Sequence, residues 1–256
     1  MPARALEVKL GSPILLKIRR RLSNYKARWH KSTRWPPVGA FDWGDLRRLT
    51  PISKKFGLDR GLPIDRYYIE RFLQEHNADI QGRVLEFGDP RYTLKFGGDR
   101  VTTSDVLDLS LWKPDVTIVA DFSKADHIPS DTFDCIIMTQ TLQLIYEVRT
   151  ALHTSYRILK PGGILLATVP VISRIARPFP HLERWEDYWR FTSQASRRLF
   201  AESFPEEKVS VAAFGNVLAA AAFLHGLAFE ELQPSELDFR DPDYEVLIAV
   251  RAVKPG

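Results

Sequence analysis

Acidic residues and a glycine follow short apolar segments of this 256-residue sequence, in positions where they could bind a nucleoside. The segment "RVLEFGD" places Glu86 and Gly88 at the end of one such run. A carboxylate there could orient a cationic amine, directly or through water, and a glycine lets a ligand approach the backbone closely. Asp105 follows the next run, where a carboxylate accepts hydrogen bonds from both hydroxyl groups of a ribose.

Two further apolar runs are also followed by residues that could contact a nucleoside. Asp121 and Phe122 follow the third run, and they supply an acceptor and an aromatic face against which an adenine ring could lie. Thr139 and Gln140 follow the fourth run. None of these residues is specific alone, but their order and position predict a site for an adenosine-type ligand.

Strands and helices alternate through the part of the chain that carries these residues. "TLQLIYEVRTALHTSYRILKPGG" has apolar residues on one helical face and a Lys-Pro-Gly-Gly stop, which predicts a crossover helix. A doubly wound parallel sheet follows from this alternation, with its ligand at the carboxyl ends of the strands. We expect strands at 83–87, 100–104, 116–120, 133–138 and 163–169, with two more near 208–214 and 244–253.

The motifs "RVLEFGD", "VADF", "FDCII" and "LKPGG" together resemble those of class I methyltransferases that use S-adenosylmethionine, of the type 11-like group. The resemblance covers about Arg60 to Pro170. The wider pattern of "RGLPIDRYYIERFL" with "DYWRFT" resembles an uncharacterised bacterial branch associated with glycosyltransferases. It implies a Rossmann-like sheet of about seven strands, mostly parallel, and O-methylation of a small-molecule, sugar or glycosylated acceptor. S-adenosylmethionine is the implied cofactor.

The sequence departs from that family at its first glycine-rich loop. Pro90 and Tyr92 stand where the second and third glycines are expected, and Gly88 is only 17 residues from Asp105. The first crossover must therefore be truncated. In one interpretation Tyr92 packs over the methionine end of a retained cofactor; in the other, cofactor binding has been lost.

The segment after the fifth predicted strand, "PVISRIARPFPHLERWEDYWRFT", is the best candidate for a substrate wall. Methyl transfer is an in-line displacement, so positioning supplies much of the rate. A base is needed only when the acceptor must lose a proton, and His181 and Asp187 could serve. Alternatively, His181 is a surface residue and Asp187 forms a structural pair with an arginine.

Composition limits the other function classes. The single cysteine, Cys135, excludes a disulfide framework and a thiol cluster for metal, and a cytoplasmic location is expected. Residues 1–35 hold ten Lys or Arg against one Glu, a charge of +9, which leaves −5 for the rest of a chain with total charge +4. Because the basic residues are not around the crevice, nucleic acid is not an expected partner.

The basic residues belong to an N-terminal extension, which we place at 1–55, before a methyltransferase domain at 56–256. Within it, Ser12 and Pro13 form a helix start, and apolar residues recur at helical spacing among Arg and Lys up to Trp29. A basic helix over residues 13–30 is therefore expected. It could bind an anionic membrane surface or a glycosyltransferase partner, or it could pack back on the domain. A non-catalytic module that docks through this helix is the alternative function.

We predict that deleting residues 1–35 abolishes co-sedimentation with anionic vesicles and preserves turnover. Attachment through a basic amphipathic helix depends on charge, so sedimentation of the intact protein should also weaken with salt. Vesicle sedimentation and a methyl-transfer assay, run on both proteins, measure the two effects. Failure of the intact protein to sediment at low salt would exclude the membrane interpretation.

Overall fold

The computed structural model describes residues 36–37, 39–111, 113–177 and 186–256. The chain divides into two compact units, Met1–Leu49 and Thr50–Gly256. In the described part of the first unit, Phe41 and Trp43 make an edge-to-face contact with ring centroids 4.9 Å apart. The helix expected over residues 13–30 lies outside the described residues.

The second unit contains one seven-stranded sheet in the order β3-β2-β1-β4-β5-β7-β6. All neighbouring pairs are parallel except those that β7 makes with β5 and β6. The prediction of a mostly parallel, doubly wound sheet of about seven strands is thereby confirmed. The strands are β1 (Gly82–Phe87), β2 (Val101–Asp108), β3 (Ile118–Val119), β4 (Phe133–Thr139), β5 (Leu159–Pro170), β6 (Val209–Phe214) and β7 (Leu247–Val253).

Helices cover both faces of the sheet. One face packs against α2 (Val148–Ile158) and α3 (Ser193–Ala201), and the other packs against α1 (Ile64–Glu75), α4 (Val217–His225) and α5 (Pro234–Asp238). The apolar residues of α1 recur every three or four positions, so one stripe of the helix is buried. No helix among the described residues is long and apolar enough to span a bilayer.

The second strand is longer than the sequence indicated. It continues from Val101 through Asp108, in parallel register with β1, where Leu85 lies opposite Asp105 and Phe87 lies opposite Leu107. The expectation that Asp105 ends this strand is wrong. Val106 and Leu107 continue the buried ladder, so the strand reaches its carboxyl end three residues later, at Asp108.

The truncated first crossover is confirmed. In place of a crossover helix, β1 and β2 are joined by a π-helical turn, Thr93–Gly97, and a short 3-10 turn. The turn buries the rings of Tyr92 and Phe96, which stack with centroids 6.0 Å apart in the core beside α1.

A buried carboxylate holds this turn against the sheet. Glu86, only 3% exposed, accepts hydrogen bonds from the backbone N–H groups of Tyr92 (3.1 Å) and Thr93 (2.7 Å). Burial raises the pKa of Glu86 to about 7, although both N–H donors favour the ionised form. The first turn therefore depends on a carboxylate that titrates near neutral pH.

We predict that Glu86→Gln flattens the dependence of stability on pH between about 4.5 and 7. In that range the folded protein retains a proton that the unfolded chain releases, so wild-type stability falls as pH rises and levels off above about 7. The total fall from this group should be up to about 3 kcal/mol. Denaturant unfolding across the pH range measures it, with Glu207→Gln as a surface control. An unchanged slope in Glu86→Gln would contradict the assignment.

Candidate functional site

A crevice is expected where the strand order reverses, at the carboxyl ends of β1 and β4. The chain leaves β1 toward β2 on one side and returns to β4 on the other, so the segments that follow these two strands separate. Parallel register places Glu86 opposite Ile137, so β1 and β4 end at nearly the same level. Open α/β sheets bind their ligands at this switch point.

Both strands at the switch point are followed by a residue in the left-handed backbone region. Gly88 has φ +84°, and a Cβ atom built there would meet no atom within 4 Å. Gln140 has φ +50°, which costs a non-glycine residue about 1–3 kcal/mol. Backbone strain of this kind concentrates at functional sites. The two strands of the switch point are therefore followed by open space at Gly88 and by a strained residue at Gln140.

Two carboxylates of β2 differ in what surrounds them. Asp105 is buried inside the strand, where its carboxylate accepts a hydrogen bond from Arg83 Nε (2.7 Å) and another from Thr117 Oγ1 (3.0 Å). Asp108 is the last residue of the strand. Because Phe87 lies opposite Leu107, Asp108 leaves the sheet beside Gly88. Sequence reasoning missed Asp108, although its position three residues after Asp105 in an unbroken β pattern could have revealed it.

Glu86 and Tyr92, which the sequence analysis predicted to contact the cofactor, both hold the turn after β1 in place. Both carboxylate oxygens of Glu86 accept hydrogen bonds from the turn. Tyr92 is 2% exposed, and its hydroxyl accepts a hydrogen bond of 2.6 Å from Arg66 Nη1 of α1. Burial raises the pKa of Tyr92, although the neighbouring Arg66 favours the ionised form. Glu86 and Tyr92 therefore fix the first turn against β1 and α1.

The residues that follow β3 form a capped turn. Asp121 is exposed, and its carboxylate accepts hydrogen bonds from the backbone N–H (3.0 Å) and hydroxyl (2.6 Å) of Ser123. Phe122 is 3% exposed and makes an edge-to-face contact with Phe87, with centroids 4.9 Å apart. The ring of Phe122 therefore supports the wall of the site from below rather than presenting an open face.

A glutamine pair follows β4. Thr139 ends the strand, and the backbone N–H of Gln140 donates to the carbonyl oxygen of Thr168 in β5 (2.9 Å). The side-chain amide of Gln143 donates to the backbone oxygen of Gln140 (2.7 Å), while its own Oε1 is buried without a partner. Buried polar atoms are normally hydrogen-bonded, so Gln143 Oε1 has unused capacity for an N–H donor beside the crevice.

The segment after β5 is held by one ion pair. The Asp187 side chain is 2% exposed, and it accepts hydrogen bonds from both terminal nitrogens of Arg190 (2.5 and 2.9 Å) and from the backbone N–H of Ala176 (2.7 Å). Burial opposes ionisation, but these donors outweigh it and lower the pKa of Asp187. Asp187 thus anchors the segment as a carboxylate. His181 lies outside the described residues.

Exposed aromatic residues lie beside this segment. The rings of Tyr146 and Tyr188 have centroids 5.2 Å apart, and both are substantially exposed. Trp189 packs behind Tyr146, with its Nε1 donating to the carbonyl oxygen of Ile145 (3.1 Å). Across the described ranges, no group of three or more His, Cys, Asp or Glu is arranged to hold a metal ion.

Part of the chain matches a protein-family model and segments of curated proteins. Residues 93–167 match a family model described as a methyltransferase domain. The ubiquinone/menaquinone biosynthesis C-methyltransferase UbiE of Marinomonas sp. is 36% identical over 86 residues, which cover 34% of this chain and 32% of that protein. UbiE of Escherichia fergusonii is 32% identical over 101 residues, 38% of each chain. The chain thus matches about a third of the length of these curated relatives.

Two solved structures resemble this chain distantly. A 1,6-didemethyltoxoflavin-N1-methyltransferase of Burkholderia thailandensis, with bound S-adenosylhomocysteine, has a TM-score of 0.46 at 14% identity, covering 98% of this chain and 94% of its own. The N-methyltransferase NodS of Bradyrhizobium japonicum, also with S-adenosylhomocysteine, has a TM-score of 0.44 at 14% identity. The match covers 78% of this chain and 91% of NodS. The matched residues 93–167 run from the turn after β1 into β5 of the observed sheet.

Proposed function

We propose that this protein transfers a methyl group from S-adenosylmethionine to a small-molecule acceptor in the crevice between β1 and β4. The proposal rests on the two left-handed residues that follow β1 and β4, Gly88 and Gln140, and on the open space beside Gly88. The carboxylate of Asp108, level with Gly88, adds a charged acceptor at the position where a ribose would lie. The residues present therefore fit the implied cofactor.

The proposed binding mode distributes the cofactor over three strand ends. In this mode Asp108, which ends β2 beside Gly88, accepts the ribose hydroxyls, while Asp105 stays within the strand, where Arg83 and Thr117 donate to it. The assignment of Asp105 stays a prediction to be tested against Asp108. The adenine lies beside Asp121 and the Phe122 turn, and its exocyclic amine is a candidate donor to the buried Oε1 of Gln143.

The methionine end lies between the residues after β1 and those after β4. Gly88 provides the room, and Thr139 and Gln140 line the other side. Glu86 and Tyr92 contribute indirectly, by holding the turn after β1. Their direct contact with the cofactor, which the sequence predicted, would require the turn to release Glu86.

The chemistry divides between the cofactor and the chain. When bound, S-adenosylmethionine supplies an electrophilic methyl group on a sulfonium. The chain aligns the acceptor with that methyl group and excludes water, and such positioning is worth a large part of the rate. For a hydroxyl acceptor, His181 is the proposed base, since Asp187 is engaged by Arg190 and Ala176.

The acceptor that we propose is an oxygen of a sugar, a glycosylated metabolite or another small molecule. The exposed rings of Tyr146 and Tyr188 support this class, because aromatic faces at a wet edge pack against rings that also carry polar groups. The curated relatives are C-methyltransferases by name. Analysis of the methylated product distinguishes transfer to oxygen from transfer to carbon.

The alternative function is a non-catalytic methyltransferase-like module that docks on a glycosyltransferase or a membrane-bound assembly. One observation favours it: the turn after β1 occupies both oxygens of Glu86, so the family's glycine loop is replaced by packed side chains. A protein of this kind would not bind the cofactor.

We predict that Asp108→Asn weakens binding of S-adenosylmethionine at least tenfold, because an amide replaces the charged acceptor of two hydroxyl donors. Equilibrium dialysis with labelled cofactor measures the affinity. Asp105→Asn is the matched comparison, and it should lower stability through the loss of its pairing with Arg83 while changing affinity less. The reverse ranking would return the ribose contact to Asp105.

We predict that His181→Ala lowers kcat by at least about a hundredfold on an acceptor that must lose a proton, the usual contribution of a general base. Cofactor affinity should stay unchanged. Asp187→Asn should instead lower the melting temperature, because it weakens the pair with Arg190 that holds the segment. Equal kcat in His181→Ala and wild type would exclude His181 as the base.

A further inference from the structure

Arg174 lies on the acceptor side of the proposed crevice. It follows Pro170, the last residue of β5, by four residues. Four extended residues span at most about 14 Å, so Arg174 stays within that distance of the strand end. Since β5 is parallel to β4, its end lies at the same edge of the sheet as Thr139. Arg174 therefore belongs to the wall that the segment after β5 forms.

The guanidinium of Arg174 rests on an aromatic ring. Its Cζ lies 4.0 Å from the centroid of Phe56, which is a close cation–π contact. Phe56 itself has φ +60°, a strained conformation for a bulky residue. The surrounding packing maintains it, including Phe223 of α4 with a centroid distance of 6.4 Å. A strained residue that supports a charged group is typical of a binding site.

The backbone beneath Arg174 is fixed by the same ion pair that anchors the segment. Arg190 donates a hydrogen bond to the carbonyl oxygen of Arg174 (3.0 Å), and Asp187 accepts one from Ala176 N–H (2.7 Å). The side chain is thus held at both ends, by hydrogen bonds at its backbone and by Phe56 at its guanidinium. This preorganisation lowers the entropic cost of binding a ligand.

The charge of Arg174 has no acidic partner within the described part of the second unit. Burial against its neighbours lowers the pKa of Arg174, with no carboxylate to oppose the effect. Arg251 shows the contrasting case, because its hydrogen bonds to Asp79 raise its pKa. An arginine remains protonated in either setting, so Arg174 presents a full positive charge and unused N–H donors.

We infer that Arg174 binds an anionic group of the acceptor, a carboxylate or a phosphate. This inference rests on the proposed function, because it concerns the acceptor of that same site. A planar guanidinium with free donors matches both anions in a bidentate manner, and stacking on Phe56 leaves its edge available. An anionic acceptor would lie with its charge at Arg174 and its reacting atom toward the end of β4.

Ligand-observed NMR by saturation transfer tests the inference on the full-length protein without any need for turnover. The probes are benzoate, phenyl phosphate and benzamide, which share a ring and differ in charge. We expect both anions to bind and benzamide to bind much more weakly. The stronger of the two anions indicates whether the natural group is a carboxylate or a phosphate.

Three variants locate the binding. Arg174→Gln should weaken the anions about tenfold, the ratio that corresponds to one charge-assisted hydrogen bond. Phe56→Leu should weaken anion binding less, because it removes the aromatic ring under the guanidinium and keeps the charge of Arg174. Arg197→Gln is the matched control, since Arg197 is an exposed arginine of α3, on the opposite face of the sheet from the Phe56 cluster. Thermal melting checks that each variant is folded.

Loss of anion binding in Arg174→Gln, with wild-type binding in Arg197→Gln, supports the inference. Wild-type anion binding in Arg174→Gln would overturn it, as would benzamide binding as tight as benzoate or no anion binding to the wild type. The proposed function is assessed separately by cofactor binding. A protein that binds the anions at Arg174 and not S-adenosylmethionine would refute the methyltransferase proposal and leave the anion site intact.

Discussion

The buried carboxylate of Glu86 is the contact on which the cofactor side of this protein depends. A Rossmann-like sheet ordinarily separates its first two strands with a helix, and the start of that helix forms the ligand loop. Here a five-residue turn takes the place of that helix. Glu86 of β1 holds the turn by accepting hydrogen bonds from the backbone N–H groups of Tyr92 and Thr93. This contact ties the turn to β1, and Tyr92 and Phe96 pack beside α1, where Arg66 donates to the Tyr92 hydroxyl.

An ion pair plays the corresponding part on the proposed acceptor side. Asp187 and Arg190 hold the segment after β5, and through Ala176 and the carbonyl of Arg174 they fix the wall that faces the crevice. Both contacts are buried carboxylates that bind backbone N–H groups, yet their electrostatics differ. Burial raises the pKa of Glu86 to about 7, whereas the Arg190 guanidinium beside Asp187 helps to lower the pKa of that carboxyl group.

Most of the fold could be predicted from the sequence, because apolar runs and turn residues mark buried parallel strands clearly. The expected strand at 133–138 appears as Phe133–Thr139, and the shortened first crossover follows directly from residue counting. The end of β2 was missed, since the pattern "TTSDVLD" carries a charged residue, Asp105, inside the strand. That charge is tolerated because Arg83 and Thr117 surround it, and no local pattern reveals a partner 22 residues away.

The site was less predictable than the fold for the same reason. Strand-end position predicted that Gly88, Thr139 and Gln140 border the crevice, but it could not tell whether Tyr92 would face a ligand or the core. That choice depends on Arg66, which approaches from a helix that precedes the strand. The acceptor wall depends likewise on the contact of Arg174 with Phe56, residues more than a hundred positions apart.

In the proposed function, a crevice with a packed turn in place of a glycine loop still binds S-adenosylmethionine. Calorimetric titration of the full-length protein with S-adenosylhomocysteine tests this most directly, because the product needs no acceptor and does not react. We expect saturable binding at one site with micromolar affinity. Absence of binding by a protein whose folding is verified in the same sample would contradict it and favour the non-catalytic module.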